Sequence, residues 1–186
     1  MNRILTSVVF VVLLFPSLAL GEEVTLDDLV KTDGLFYKKF TDVPFTGKIT
    51  GSEQGKIKNG KKEGPWVVYH DNGQLSRKGD FKNGEEEGPW VTYWTNGRVW
   101  VKGDYKNGER EGPWVFYYDN GQLHMKGDFK NGEEEGPLVV YYENGRLSFK
   151  GNYKNGEKDG PWVYYHEDGT VNEELDGIYE NNKRVD

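Results

Sequence analysis

A Gly-Pro pair recurs at an unbroken spacing of 24 residues through most of this 186-residue chain. Each copy reads approximately E-G-P-W-V-x-Y-x-x-N-G-x-L-x-x-K-G-D-F-K-N-G-E-x. The five copies start at Gly64, Gly88, Gly112, Gly136 and Gly160. Self-similarity at a fixed period is typical of repeat proteins, in which each unit is one supersecondary element that stacks on its neighbours. The repeat therefore constrains the fold more strongly than composition does.

One unit has the pattern of a β-hairpin. Residues 89–94 are rich in aromatic and β-branched side chains, the turn pair Asn96-Gly97 follows, and residues 98–106 are again strand-like. A second turn pair, Asn107-Gly108, leads to the next unit, so successive strands are expected to pair antiparallel. The prediction is an all-β, elongated antiparallel β-meander of tandem hairpins, forming a single-layer twisted or curved sheet of about ten to thirteen strands. No helix is expected beyond a turn at residues 25–29.

Alternation along the second strand of each hairpin predicts one dry and one wet face. The predicted wet face carries Lys78, Lys102, Lys126 and Lys150, whereas the predicted dry face begins at Leu75, Val99, Leu123, Leu147 and Val171. The dry face continues through Gly79, Gly103, Gly127 and Gly151, and a glycine inside a strand is expected to make room for a ring from an adjacent strand. The candidate rings are Trp66, Trp90, Trp114 and Trp162. Since Trp66 and Tyr69 are three residues apart, either a bulge at the Gly-Pro step aligns them or both faces carry aromatic side chains.

The N-terminal segment has the pattern of a secretory signal peptide. Arg3 precedes an apolar run over residues 4–14, and small residues follow before Glu22-Glu23. Cleavage is expected after Gly21, with Ala19 as the second choice; the alternative, a membrane anchor, needs about 20 apolar residues without a Pro break. The mature chain would then have 23 basic and 31 acidic residues, a formal charge of −8. This acidic balance argues against nucleic acid and anionic lipid as partners.

The flanks of the array depart from the repeat. The predicted organisation is a signal peptide at 1–21, an N-terminal β cap at 22–63, tandem repeats at 64–171, and a C-terminal cap and tail at 172–186. Asp33-Gly34 predicts a hairpin turn in the first cap, and residues 45–49 predict a further strand. Gly177-Ile178-Tyr179 imitates the second strand of a unit.

Catalytic and metal-binding patterns are missing from the sequence. It has no Cys, and its three His residues, His70, His124 and His166, do not have the converging spacing of a zinc site. The acidic runs 85–87 and 133–135 are expected to be solvated turns, with weak calcium binding as the alternative. No nucleophile elbow, phosphate loop or dinucleotide fingerprint occurs. We therefore expect no enzymatic activity, no cofactor and no bound metal.

Positions that vary between copies are the candidate contact positions. The alternation predicts that the row Ser76, Trp100, His124 and Ser148 shares the Lys-bearing face, where Trp100 would be a large exposed ring. The alternative is that Trp94 and Trp100 pack on each other across Asn96-Gly97. The predicted partner-binding residues are Trp94, Trp100, Tyr118, His124 and Tyr142.

Two stretches resemble known families. Residues 103–114, "GDYKNGEREGPW", resemble the glycine-and-aromatic signature of MORN repeats, and the 24-residue unit is closer to the bacterial MORN-repeat variant. Residues 33–51, "DGLFYKKFTDVPFTGKITG", resemble the opening of the bacterial YwqK-type antitoxin family. The resemblance implies a binding scaffold and a toxin as partner class, with no catalytic motif to transfer. Two departures are Leu138, where the other units have Trp, and the predicted signal peptide.

Together these features predict an exported, periplasmic or extracellular, non-catalytic scaffold that binds a partner protein. The resemblance narrows that partner to a toxin or an envelope protein, making the chain an antitoxin or immunity-like protein. One alternative is a cell-wall or glycan-binding module, in which an aromatic ladder spaced by about 9.6 Å stacks successive sugars. The other is a purely structural envelope protein. Nucleic acid and a stable membrane anchor are not expected.

Overall fold

A computed structural model describes residues 22–186, so the predicted signal peptide at 1–21 lies outside the described residues. Short strands and one helical turn come first: β1 Glu23–Val24, a 3-10 turn Leu26–Asp28, β2 Leu29–Thr32, β3 Leu35–Lys38 and β4 Gly47–Ile49. The repeated strands follow: β5 Glu53–Lys58, β6 Lys61–Tyr69, β7 Leu75–Lys82, β8 Glu85–Tyr93, β9 Val99–Lys106, β10 Glu109–Tyr117, β11 Leu123–Lys130, β12 Glu133–Tyr141 and β13 Leu147–Lys154. The chain closes with β14 Glu157–Lys158, β15 Gly160–Tyr164, β16 Gly177–Glu180 and β17 Lys183–Arg184.

One 15-stranded sheet contains all strands except the hairpin β2–β3. From β4 onward each strand pairs antiparallel with the next, apart from β14, which pairs only with β13; β1 adds a parallel edge beside β4. The predicted all-β meander is confirmed, and the sheet exceeds the expected strand number because both flanks add strands to it. Within residues 22–186 the 3-10 turn is the only helical element. This part of the chain therefore contains no helix that is long and apolar enough to cross a membrane.

Two turn types alternate along the array. In the turn between units, Asn83 and Gly84 both have positive φ, 53° and 90°; this is the primed geometry that matches the twist of paired strands and favours Asn-Gly. In the turn within a unit, Gly73 has positive φ, its N–H donates to His70 O at 2.8 Å, and the His70 N–H donates to Gln74 O. Both predicted turn positions are therefore confirmed, with different backbone geometry at each.

Glycine and tryptophan fit together between adjacent strands as predicted. A Cβ added at Gly79, Gly103 or Gly151 would overlap the indole that follows on the next strand. The repeated rings are almost fully buried: Trp66, Trp90, Trp114 and Trp162 are 1–2% exposed. These four rings define the face called here the Trp face. Each glycine thus gives up local strand stability so that a large ring can lie flat on the backbone.

The rings form a column that runs across the strands. Phe81 lies between Trp66 and Trp90, with centroids 5.7 and 5.2 Å away and rings nearly perpendicular. Tyr105 joins Trp90 to Trp114 in the same edge-to-face manner, at 6.2 and 5.0 Å. Such pairs add about 0.5–1.5 kcal/mol each beyond their buried area. Because every contact joins neighbouring strands, the column ties one hairpin to the next.

Two bulges in each complete unit determine which side chains share a face. Against the preceding strand, the register of β10 shifts between Glu111 and Val115, so the bulge expected at the Gly-Pro step is present. A second shift separates the pairs Thr92↔Val101 and Tyr93↔Val99, which makes Trp100 the extra residue.

This second bulge overturns the predicted face of two rows. Trp100 and Ser76 line clefts on the Trp face, and Val99 pairs instead with Tyr93, whose ring lies 5.9 Å from Lys78 Nζ. The row of Trp100 therefore belongs to the Trp face. The row of Leu75, Val99, Leu123 and Leu147 belongs to the opposite side, called here the Lys face after Lys78, Lys102, Lys126 and Lys150. The prediction was wrong because simple alternation does not account for an inserted residue. Both faces of the sheet carry aromatic side chains. Val171, from the same predicted row, is exposed and outside the strands.

The N-terminal flank covers the start of the column. The hairpin β2–β3 forms at the predicted turn Asp33-Gly34, and Leu29 and Phe45 join Trp66 and Trp90 in one buried cluster. Strand β5 copies the second strand of a unit, since a Cβ at Gly55 would overlap Trp66. At the other end Gly177 pairs with Trp162, which confirms the predicted imitation of a repeat strand.

Candidate functional site

Cationic side chains lie over the indoles of the Trp face. Lys62 Nζ is 4.1 Å from the ring centroid of Trp66, and the Arg77 guanidinium carbon is 4.0 Å from that of Trp90. Arg110 lies 4.6 Å from Trp114, and Lys158 lies 4.5 Å from Trp162. A cation over an indole is attracted to the ring quadrupole, by about 0.5–1 kcal/mol at exposed sites. All four repeated indoles thus carry a positive charge on their outer side.

One repeat position alternates in charge along the face. The residue two before each Gly-Pro glycine is in turn Lys62, Glu86, Arg110, Glu134 and Lys158. Where this position is Glu86, the cation over Trp90 comes from β7 instead, as Arg77, which also bonds Glu86 at 3.3 Å. Where the indole is replaced by Leu138, the position is Glu134. We call these five side chains the charge row.

A cleft of about 380 Å³ opens in the middle of the Trp face. Its lining consists of Arg77, Glu86, Trp90, Thr92, Trp100, Val101, Tyr105, Arg110, Trp114 and Phe116. Arg77 and Glu86 neutralise each other, whereas Arg110 makes no ion pair with any residue in 22–186. Arg110 is held by the rings of Trp114, Phe116 and Phe129. The cleft therefore presents one unneutralised guanidinium between aromatic walls.

Trp100 and Trp94 pack on each other beside this cleft. Their ring centroids are 5.1 Å apart, as the packing alternative predicted, and Trp94 Nε1 donates to Tyr117 O at 3.2 Å. Trp100 remains 42% exposed, so the pair both rigidifies the hairpin and leaves an aromatic surface in solvent. Of the five predicted contact residues, Trp100 is the one that lines the cleft.

The other predicted residues act mainly between units. Tyr118 OH donates to Tyr141 O at 2.8 Å, and Tyr142 OH donates to Tyr165 O at 2.6 Å. Together with Trp94 they form a ladder in which each ring bonds the carbonyl oxygen 23 residues ahead. His124 joins the group by packing on Tyr118, with centroids 4.4 Å apart, whereas Tyr142 lies one unit further along. The structure thus gives these rings a role in joining one unit to the next. That they bind a partner stays a prediction.

Burial changes the titration of two of these rings. Partial desolvation lowers the pKa of His124, so the neutral imidazole is favoured at neutral pH. Desolvation, assisted by the negative charge of Glu143, raises the pKa of the Tyr118 hydroxyl, which therefore stays protonated and can donate to its carbonyl. Both effects keep this part of the Trp face uncharged.

The prediction that the acidic runs are solvated turns was wrong, because residues 85–87 begin β8 and residues 133–135 begin β12. Glu63, Glu87, Glu111 and Glu135 each accept a hydrogen bond from the N–H of the turn asparagine 20 residues ahead, at 2.7–3.1 Å. Every such bond joins the first strand of a hairpin to the turn that follows its second strand. Among residues 22–186, no group of three or more His, Cys, Asp or Glu side chains is arranged to hold a metal ion.

Sequence reasoning did not identify Arg77, Glu86 and Arg110 as site residues. The alternating charge row was a usable signal, because a position whose charge changes sign at each copy differs from the scaffold positions that every copy repeats. The cleft itself was not predictable from spacing. It depends on the bulge that turns Trp100 toward the Trp face.

The repeat array matches one known family. The MORN repeat variant family matches residues 62–83, 86–107, 110–131, 134–155 and 158–178, more than half of the chain. The chain belongs to the MORN repeat variant family. Among curated proteins, no relative was found. Family membership accounts for the hairpin array, and the cleft is described by this chain's own residues.

Proposed function

We propose that this MORN-variant chain is a non-catalytic scaffold that binds another protein through the cleft and Trp100 on the Trp face. The observation that carries the proposal is the combination of a 42% exposed Trp100 with an Arg110 that is ion-paired to no described residue. Trp and Arg are the residues most enriched among those that dominate binding energy at protein interfaces.

The cleft is also preorganised, which reduces the entropic cost of binding. Trp100 is held by Trp94, and Arg110 is held by three aromatic rings. Side chains already fixed in the free protein lose less rotamer freedom when a partner binds. An acidic or carboxylate-bearing segment with apolar neighbours matches this surface best, because it would neutralise Arg110 while covering Trp100.

The geometry gives little support to the alternative of a glycan-binding module in which an aromatic ladder stacks successive sugars. The four repeated indoles are buried, and their outer sides are occupied by cations, so they present no open faces at regular spacing. Trp100 is a single exposed ring, and the equivalent positions in neighbouring units are Ser76, His124 and Ser148.

The finer proposal is that the chain is exported and meets a toxin or another envelope protein as an antitoxin or immunity-like partner. Its support is the signal-peptide pattern of residues 1–21, the acidic charge, and the resemblance of residues 33–51 to the YwqK-type family. This proposal would be supported if the chain captured a secreted protein that is encoded by an adjacent gene and is toxic to cells lacking this chain. A partner found only in the cytosol would overturn the export half of this proposal.

The test of the site uses a photo-crosslinker at Thr92, on the cleft wall, and an envelope extract of the source cells, with crosslinked proteins identified by mass spectrometry. Trp100→Ala should weaken capture by about 30-fold, corresponding to the ~2 kcal/mol of a dominant contact residue. Phe40→Ala is the matched control, because Phe40 is a fully exposed aromatic residue outside the Trp face and its loss should leave capture unchanged. Equal capture by both variants would overturn the assignment of the site.

A further inference from the structure

The charge row offers a pattern that a second copy of the chain could match. Lys62, Glu86, Arg110, Glu134 and Lys158 lie on alternate strands, spaced by about 9.6 Å. A two-fold axis that runs parallel to the strands, in the plane of the face, reverses the order of strands but keeps each row opposite itself. An axis centred on Arg110 would place like charges together. An axis midway between Arg110 and Glu134 would place opposite charges together.

We infer that the protein bound by the Trp face is a second copy of this chain, related by that two-fold axis above β11. In this register Arg110, which is ion-paired to no described residue, faces Glu134 of the second copy. Glu86, which already bonds Arg77 at 3.3 Å, faces Lys158 of the second copy as a secondary pair, and the reciprocal pairs form by symmetry. Such an isologous contact closes as a dimer and does not propagate. The inference rests on the proposed function, since it names the partner of the same face.

The register is selected by where the face remains uncovered. The alternative axis, between Glu86 and Arg110, would use the N-terminal end, where Leu29 and Phe45 already cover the column. At the C-terminal end Arg184 and Asp186 lie over Gly177 of β16, but the clusters around Trp114 and Trp162 contain residues of the sheet strands alone. The half-buried apolar side chains of this end on the Trp face are Phe116, Met125, Phe149 and Tyr164.

The area is sufficient for a stable dimer. Eight strands at ~4.8 Å, each about eight residues long at ~3.3 Å, give about 1,000 Å² per chain. A standard specific interface buries about 800 Å² per partner. The axis places Met125 opposite Met125 of the second copy, and a flexible, polarizable side chain can pack against its own symmetry mate without a fixed shape requirement.

Charge reversal provides a test that only contact between chains can pass. Arg110→Glu alone should give two like-charge pairs and a monomer, as should Glu134→Arg alone. Mixing the two variants should restore the dimer, because every pair in the mixed dimer is then opposite in charge. The measurement is mass by light scattering or sedimentation of the purified chain. Arg110→Glu should still fold, because the charge row already tolerates Glu86 and Glu134.

A second measurement uses the absence of cysteine from the chain. Met125→Cys should be joined to its symmetry mate by a short bis-maleimide reagent, whereas Lys126→Cys, one residue away on the Lys face, should not. A wild-type chain that stays monomeric, or variants whose mixture stays monomeric while each retains its β-sheet circular dichroism, would overturn the inference. If the chain is monomeric yet Thr92 crosslinks a different protein, the proposed function stands and the second copy is rejected.

Discussion

Strands β10 and β12 occupy equivalent places in the array but fill them differently. Strand β10 carries Trp114, which lies against Gly103 with Arg110 above it, whereas β12 carries Leu138 against Gly127 with Glu134 in the equivalent position. Both strands are nine residues long, and both shift register against the preceding strand, between Glu111 and Val115 in β10 and between Glu134 and Leu138 in β12. Their turn hydrogen bonds, from Glu111 and Glu135, are also equivalent.

This difference separates the determinants of the backbone from those of stability. Because a register shift at the Gly-Pro step and equivalent turns are kept with Leu138 in place of an indole, the path of the chain is set mainly by glycine, the Asn-Gly turns and backbone pairing. The indole adds edge-to-face contacts and a cation above the ring. At Leu138 the aromatic column is interrupted between Phe129 and Tyr153, so this unit holds the array together less strongly.

The largest predicted effect concerns the glycines under the two side chains. Gly103→Ala should lower the free energy of unfolding by about 3 kcal/mol, because its methyl group overlaps the rigid indole of Trp114. Gly127→Ala should cost about 1 kcal/mol or less, because the nearest atom is a terminal methyl of Leu138, 2.8 Å away on a flexible side chain. Urea denaturation of both variants measures the difference. Equal losses would show that the indole is not what requires the glycine.

A smaller effect is expected from repairing the interrupted column. Leu138→Trp should raise the free energy of unfolding by about 1 kcal/mol, since Gly127 leaves space for the ring and two edge-to-face pairs can form. Adding Glu134→Lys should contribute a further ~0.5–1 kcal/mol by placing a cation above the new indole. Glu134→Lys in the Leu138 background is the control and should give no gain. Thermal and urea denaturation of the three variants would check this order.

The smallest effect concerns pH and His124, in β11 between the two strands compared above. Its lowered pKa means that the unfolded chain binds a proton more readily than the folded one. The stability from its neutral form is complete above the unfolded pKa of about 6.5 and is lost as pH falls through the lower folded value.

His124→Ser, which copies the residue found at Ser148, should remove this dependence. The difference in melting temperature between wild type and variant should therefore narrow from pH 7.5 to pH 5 in favour of the variant. A difference that is constant over this range would show that burial does not shift the imidazole.

Much of the fold could be predicted because the same turn and glycine positions recur in every copy of the repeat. The turn pairs Asn96-Gly97 and Asn107-Gly108 fixed the hairpins, and Gly103 indicated the ring that covers it. The face on which Trp100 lies could not be predicted in the same way. The bulge at Trp100 changes the strand pairing, but it leaves the 24-residue period of the sequence unchanged. The cations above the rings were also missed, since their positions depend on which strands become neighbours.

The hydrogen bonds of the ring ladder all cross from one copy to the next. Trp94 donates to Tyr117 O, and Tyr118 donates to Tyr141 O. A deletion of one whole copy would therefore bring a donor opposite an equivalent acceptor, whereas removal of any other number of residues would leave donors and acceptors mismatched along the cut. We therefore expect that the array can gain or lose residues without disrupting these hydrogen bonds only in multiples of the 24-residue repeat.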